Sequence, residues 1–135
     1  MRTKFVLVVA GLALLLARPL VAHHSFAAEF DANKPFKMTG TVTKVEWMNP
    51  HTYFYIDVKD DKSGKVDNWA MEMGSPNGLM RAGWTRNTMK IGDMVTVEGS
   101  LAKDGSHTGN ARAVVMTATG QRLFAASSQG DSTQR

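Results

Sequence analysis

None of the 135 residues is cysteine. That absence excludes a disulfide framework, a thiolate metal centre, a cysteine nucleophile and a lipid-attachment cysteine. The signatures of catalysis are missing as well. The chain has no G-x-S-x-G elbow and no H-E-x-x-H pair, and its carboxylates are scattered, mostly in loops. Ser25 follows His24, but adjacency in sequence says nothing of the geometry a triad needs. The chain reads as a non-enzyme. Prolines and histidines number only four each, so each one carries weight in the reading.

Only one long apolar run is present, Phe5 to Ala17, and its 13 residues fall short of the roughly 20 that span a membrane as a helix. It follows the basic start Met1-Arg2-Thr3-Lys4 and leads to Leu20-Val21-Ala22, with a small residue at the end. That order of charge, apolar run and cleavage site is a secretory signal over residues 1–22. It predicts a periplasmic protein with no membrane anchor after cleavage. The signal takes Arg2, Lys4 and Arg18 with it. The whole chain carries 16 Lys+Arg against 12 Asp+Glu, whereas residues 23–135 carry 13 against 12. A net charge so close to zero argues against nucleic acid as a partner.

Residues 23–35 (HHSFAAEFDANKP) mix polar and apolar positions and end at a proline, so they read as an N-terminal arm with Phe26 and Phe30 as anchors on one helical face. From Phe36 the period becomes two. Phe36, Met38, Gly40, Val42, Lys44 and Glu46 alternate with Lys37, Thr39, Thr41, Thr43, Val45 and Trp47, until Asn49-Pro50 ends the strand. A second strand covers His51 to Val58, with Phe54, Ile56 and Val58 inward and Tyr53, Tyr55 and Asp57 outward. A third covers Val66 to Met73. Ser75 as N-cap, Pro76 at the first helical position and Gly83 past the end predict a short helix. Strands at Met94 to Leu101 and Ala111 to Thr119 follow, joined by an Asp104-Gly105 turn. The chain then turns at Gly120-Gln121-Arg122, and Leu123-Phe124 is a final anchor. Residues 125–135 are small and polar and read as a disordered tail.

Three strands, one short helix and two strands give an all-β fold class. The architecture is a small five-stranded OB-fold-like barrel over residues 36–124, with the helix between strands 3 and 4. The expected state is a monomer.

Four segments carry a resemblance. They are the start HHSFAAEFD, the Trp47-Met48-Asn49-Pro50-His51 turn, Gly74-Ser75-Pro76-Asn77-Gly78 with Gly83-Trp84, and the Lys90-Ile91-Gly92-Asp93 turn. Together they resemble a family of exported bacterial proteins built on a domain of unknown function. The resemblance covers nearly all of the chain after the signal. It implies export and a compact β-barrel-like domain, and no activity. A looser similarity is to the small periplasmic copper-binding OB-fold chaperones, which hold Cu(I) with one histidine, two methionines and a nearby tryptophan. It would put His51, Met71, Met73 and Trp69 in those roles, although Trp69 stands only two residues before Met71, closer than in those chaperones, and His51 lies at a strand entrance.

The residues themselves offer two binding chemistries. A cut after Ala22 makes His23 the first residue, so its amine and imidazole chelate Cu(II), and an imidazole from His24 or His51 completes a three-nitrogen site of the tetragonal kind that Cu(II) prefers. A cut one residue earlier would place His23 second and His24 third, a square-planar amino-terminal copper site. The competing reading leaves both histidines as solvated arm residues and has His51 bonding a nearby carbonyl. Trp69, Met71 and Met73 on one strand face are ordinary core positions as readily as soft metal ligands. Trp47, Tyr53, Tyr55 and Trp84 instead suggest an aromatic face for a protein, glycan or other small ligand, since OB folds bind oligosaccharides on such faces. The expected function is thus a periplasmic binding module, with copper as the sharpest version and a metal-free interaction module as its alternative.

Overall fold

The structure is a computed structural model that describes residues 26–126. The signal segment, residues 23–25 with His23 and His24, and residues 127–135 of the expected tail lie outside the described residues. Ala125, expected in that tail, is instead buried, its amide donating to the Arg112 carbonyl at 2.8 Å and its carbonyl accepting from the Gly74 amide at 2.9 Å. A four-residue helix α1 (Phe26–Glu29) leads into β1 (Phe30–Glu46), followed by β2 (Tyr53–Lys59), β3 (Val66–Glu72), helix α2 (Pro76–Arg81), β4 (Met94–Ala102), β5 (Thr108–Met116) and β6 (Arg122–Phe124).

The strands form one sheet in the order β3-β2-β1-β4-β5-β6, and a parallel β3–β5 pairing joins Ala70–Glu72 to Thr108–Asn110. Strands 1 to 5 therefore close into a ring, the expected barrel with the expected helix between β3 and β4. Two expectations are corrected. A sixth strand exists, because residues 122–124 pair with β5 through Ala113↔Phe124, Val114↔Leu123 and Val115↔Arg122. β1 also begins at Phe30 rather than Phe36, so residues 30–35 are strand and not arm. Pro35 is accommodated opposite Ser100 beside a register shift, where a missing N–H interrupts little of the ladder.

The 17 residues of β1 serve two partners, β4 from Phe30 to Thr41 and β2 from Thr41 to Glu46. Gly40 stands at the changeover. A Cβ there would come within 2.5 Å of the Asp57 carbonyl oxygen, so only glycine allows the approach. Just beyond, the register slips between Val42 and Lys44. Such a bulge inserts one residue and moves everything after it to the other face. Val42 is inward, but Val45 and Trp47 then pack against the core while Lys44 and Glu46 emerge on the outer face. The strict two-residue alternation of the sequence fails at this point.

The core gathers Val42, Phe54, Ile56, Met71, Met73, Leu79, Trp84, Met89, Val95, Val97 and Val114. Burying one such large side chain contributes about 1.5–3 kcal/mol. Helix α2 caps one end of the barrel as its signals predict, with Ser75 Oγ accepting from the Gly78 amide at 3.2 Å and Gly83 at a φ of 97°. Trp84, just past that helix, donates its indole N–H to the Phe124 carbonyl at 2.9 Å and so ties α2 to β6.

Two substitutions test the packing. A Cβ at Gly99 would fall 1.9 Å from the Asn110 carbonyl oxygen, at the bulge of β4 on β5. Gly99→Ala should cost about 1–3 kcal/mol or more in denaturant unfolding, and an unchanged midpoint would refute this close approach. The Thr52 hydroxyl is fully buried with no hydrogen-bond partner among the described residues. Thr52→Val should therefore stabilise the fold by about 1 kcal/mol. A loss of stability would mean that the hydroxyl does have a partner.

Candidate functional site

The bulge in β1 creates a polar ladder on the outer face of β1, β2 and β3. Across the strands, Glu46 stands opposite Tyr53 and Tyr53 opposite Glu72, while Lys44 stands opposite Tyr55. The Tyr53 hydroxyl donates to Glu72 Oε2 at 2.6 Å, and the Tyr55 hydroxyl donates to Glu46 Oε2 at 3.0 Å. Lys44 pairs with Glu46 and holds its ammonium 5.2 Å from the centre of the Tyr55 ring. Farther along, Asn68 Nδ2 donates to Asp57 Oδ1 at 2.8 Å.

His51 sits at the entrance to β2, half-buried beside Glu72. Its Nδ1 lies 3.1 Å from the Met73 carbonyl oxygen and 3.8 Å from Glu72 Oε1. A carbonyl only accepts, so in that hydrogen bond Nδ1 carries the proton. In the neutral ring Nε2 is then the atom with a free lone pair. This is the arrangement in which a histidine is oriented for a metal.

The charges bear on the two tyrosines, the only ones in the chain. Burial, then the hydrogen bond to Glu72, then the charges of Glu72 and Glu29 push the Tyr53 phenol far above its ordinary 10.0. Burial and the bond to Glu46 push Tyr55 up as well. The Lys44 ammonium, followed by the Tyr55 hydroxyl, holds Glu46 below the usual carboxylate range. The charge of Glu29, at the end of the N-terminal arm's helix α1, is a minor part of the Tyr53 shift. That arm is pinned by the Lys103 amide to the Glu29 carbonyl at 2.8 Å, by Lys103 Nζ to the Ala27 carbonyl at 2.5 Å, and by Phe26 stacked on Phe30 with centroids 5.7 Å apart.

The sequence-derived candidates separate in space. Tyr53 and Tyr55 do share the outer face of β2. Trp47 packs partly against the core, and Trp84 is 2% exposed within it, so neither completes an aromatic platform with them. Trp84 is inward because α2 must bury a face against the barrel end. Met71 and Met73 are 0% and 1% exposed, their thioethers enclosed in the core. Trp69 stands at the rim, stacked on His107 at 4.6 Å between centroids, and lies four residues from Met73, about 13 Å along the strand. The soft-ligand set is thus not assembled at an open site. His23 and His24 lie outside the described residues. Among the described residues no group of three His, Asp or Glu is placed to hold a metal; His51 and Glu72 make a pair. Glu72 and Glu46 went unnoticed in the sequence. For Glu72 the signal was a carboxylate in a strand otherwise carrying Trp69, Met71 and Met73.

Residues 12–112 match a family described as a family of unknown function, DUF6152. The chain belongs to DUF6152. No curated protein and no solved structure matches it. The stretch matched to DUF6152 contains His51, Tyr53, Glu72 and the strands that carry them; β6 lies beyond it.

The tyrosines give a direct test of this face. A phenol whose folded pKa is raised stabilises the fold fully below the ordinary 10.0, and that contribution is lost as pH climbs past it. In an alkaline titration followed by phenolate absorbance, neither tyrosine should ionise at its ordinary pH, and the Tyr53 signal should appear only as the protein unfolds. A phenol titrating normally in the folded protein would contradict the ladder.

Proposed function

We propose that this chain is an exported, periplasmic binding protein that takes up Cu(II) at a nitrogen-rich site formed by the amine and imidazole of His23 together with His51 or His24. The observation that carries this reading is His51, whose Nδ1 is committed to the Met73 carbonyl while Nε2 is left to ligate. Nitrogen ligands in a tetragonal set suit Cu(II). In this role the protein is a binder and not a catalyst; among the described residues His51 and Glu72 have no hydrogen-bonded serine beside them, and the chain has no cysteine.

A second reading is a metal-free module that meets a protein or glycan on the Tyr53–Tyr55 face, favoured by the placement of that face on β2 and β3, where OB folds take ligands. The two readings part at the N-terminus. The experiment is a Cu(II) titration of the protein recovered from the periplasm, its N-terminus sequenced, followed by calorimetry and electron paramagnetic resonance. Copper binding predicts one Cu(II) per chain with several nitrogen ligands, abolished by a blocked N-terminus or His23→Ala and weakened about tenfold or more by His51→Ala. Binding no tighter than that of a simple peptide amine would end the copper reading and leave the tyrosine face.

A further inference from the structure

We infer that the barrel end capped by α2 is a docking face for an anionic lipid bilayer, a role that needs neither His23 nor His51. β1 and β3 finish at this end and β2 and β4 begin there, so the loops gathered at it are 47–52, 73–93 and 117–121. The charged residues on these loops are Arg81, Arg86, Lys90 and Asp93. The opposite end carries loops 60–65 and 103–107, where Asp60, Asp61 and Asp104 balance Lys62, Lys65 and Lys103. A chain close to neutral after its signal thus has one cationic end. Arg81, Arg86 and Lys90 are exposed, and none is paired with a carboxylate among the described residues. Asp93 turns back on its own loop and accepts the Lys90 amide at 2.8 Å.

The same end holds most of the exposed apolar side chains. Of the six large ones that stand exposed among the described residues, Met48, Met80 and Ile91 lie on its loops and Met94 opens β4, whereas Val66 is at the opposite end. Ile91 is the most open, at 71%. Its turn closes with the Asp93 amide on the Lys90 carbonyl at 3.1 Å, and Gly92 takes a φ of 94°. Turn chemistry accounts for Gly92 and Asp93 but not for an isoleucine at the tip. Met89 anchors this loop in the core, so Lys90 and Ile91 are presented outward. A second copy of the chain does not fit this face, since it would set the cations against their own like. A protein interface needs a packed, continuous apolar centre, whereas these side chains stand on separate segments with cations among them. A bilayer has no fixed shape to match. Apolar tips enter its headgroup layer while lysine and arginine stems lie alongside and keep their charge at the lipid phosphates.

The test is co-sedimentation of the full mature protein with vesicles of phosphatidylglycerol and phosphatidylcholine in equal parts, beside vesicles of phosphatidylcholine alone. Binding is expected to the first only, and should weaken as salt is raised. Each cation at an anionic surface contributes about fivefold, so the triple variant Arg81→Gln, Arg86→Gln, Lys90→Gln should weaken binding on the order of 100-fold. Ile91→Ser should weaken it about tenfold. A matched triple variant at the other end, Lys34→Gln, Lys59→Gln, Lys62→Gln, should bind as the unaltered chain does. All seven positions are exposed, so the melting temperatures should stay together. No binding to the anionic vesicles, or equal binding to both kinds, overturns the lipid role. Equal loss in the two triple variants also overturns it, because net charge and not this face would then be responsible. So does binding that both Ile91→Ser and the first triple variant leave unchanged. If the protein is a dimer without vesicles and Ile91→Ser splits it, the face belongs to a second copy instead.

Discussion

One strand has to hold two others. β1 pairs with β4 along its first part and with β2 along its last, and Thr41 is registered with both Met94 and Asp57. A flat strand cannot serve two partners that curve away around a barrel. Gly40 gives the room, and the bulge that follows gives the bend. Everything downstream inherits this. With β1 bent, β2 and β3 are carried round until β3 meets β5 in parallel over Ala70–Glu72. Gly109, in that stretch of β5, leaves room for the Phe36 ring of β1, which a Cβ there would meet at 2.5 Å. Closing the ring leaves no long free edge between β3 and β5, which a chain without disulfides has no crosslink to guard.

The same bend builds the candidate site. Lys44 and Glu46 reach the outer face only because the bulge inserts a residue, and they complete the charge pattern around Tyr55. Tyr53 and Glu72 meet because the β2–β3 register puts them directly opposite. His51 then finds the Met73 carbonyl because the chain entering β2 continues the β3 ladder, with the Met73 amide donating to the Thr52 carbonyl at 2.8 Å and the Thr52 amide to the Gly74 carbonyl at 3.0 Å. These backbone bonds bring the Glu72 carboxylate, distant in sequence, beside the His51 imidazole and the Tyr53 phenol, which stand two residues apart. The arm is tied to Lys103, just past the end of β4.

Much of the fold was legible. Element order, the inward set Phe54 and Ile56, the Ser75–Pro76 helix start and the glycine past its end all depend on local chemistry, and all appear where that chemistry puts them. The misreadings share a cause. Pro35 looked like a boundary because a proline removes a donor, but the shifted register at that point of β1 tolerates it. Lys44 and Glu46 fell in the same alternating set as Val42, and they leave its face because a bulge has no signature in alternation alone. Trp84 looked available as an aromatic and is instead the wedge between α2 and β6. Residues 122–124 were too few to read as a strand, and only pairing with β5 makes them one.

By itself the sequence determined the barrel's element order and the lack of any thiol chemistry, because periodicity, capping and composition act over a few residues at a time. It also marked His51 as a residue with two available roles. Only the tertiary structure decided between faces and partners: that Tyr53 and Glu72 share a hydrogen bond, that Glu72 is buried on an outer face, and that His51 commits Nδ1 to Met73 and keeps Nε2. Those facts depend on strand register and on one inserted residue in β1, and register is a property of pairing between distant segments that no single segment contains.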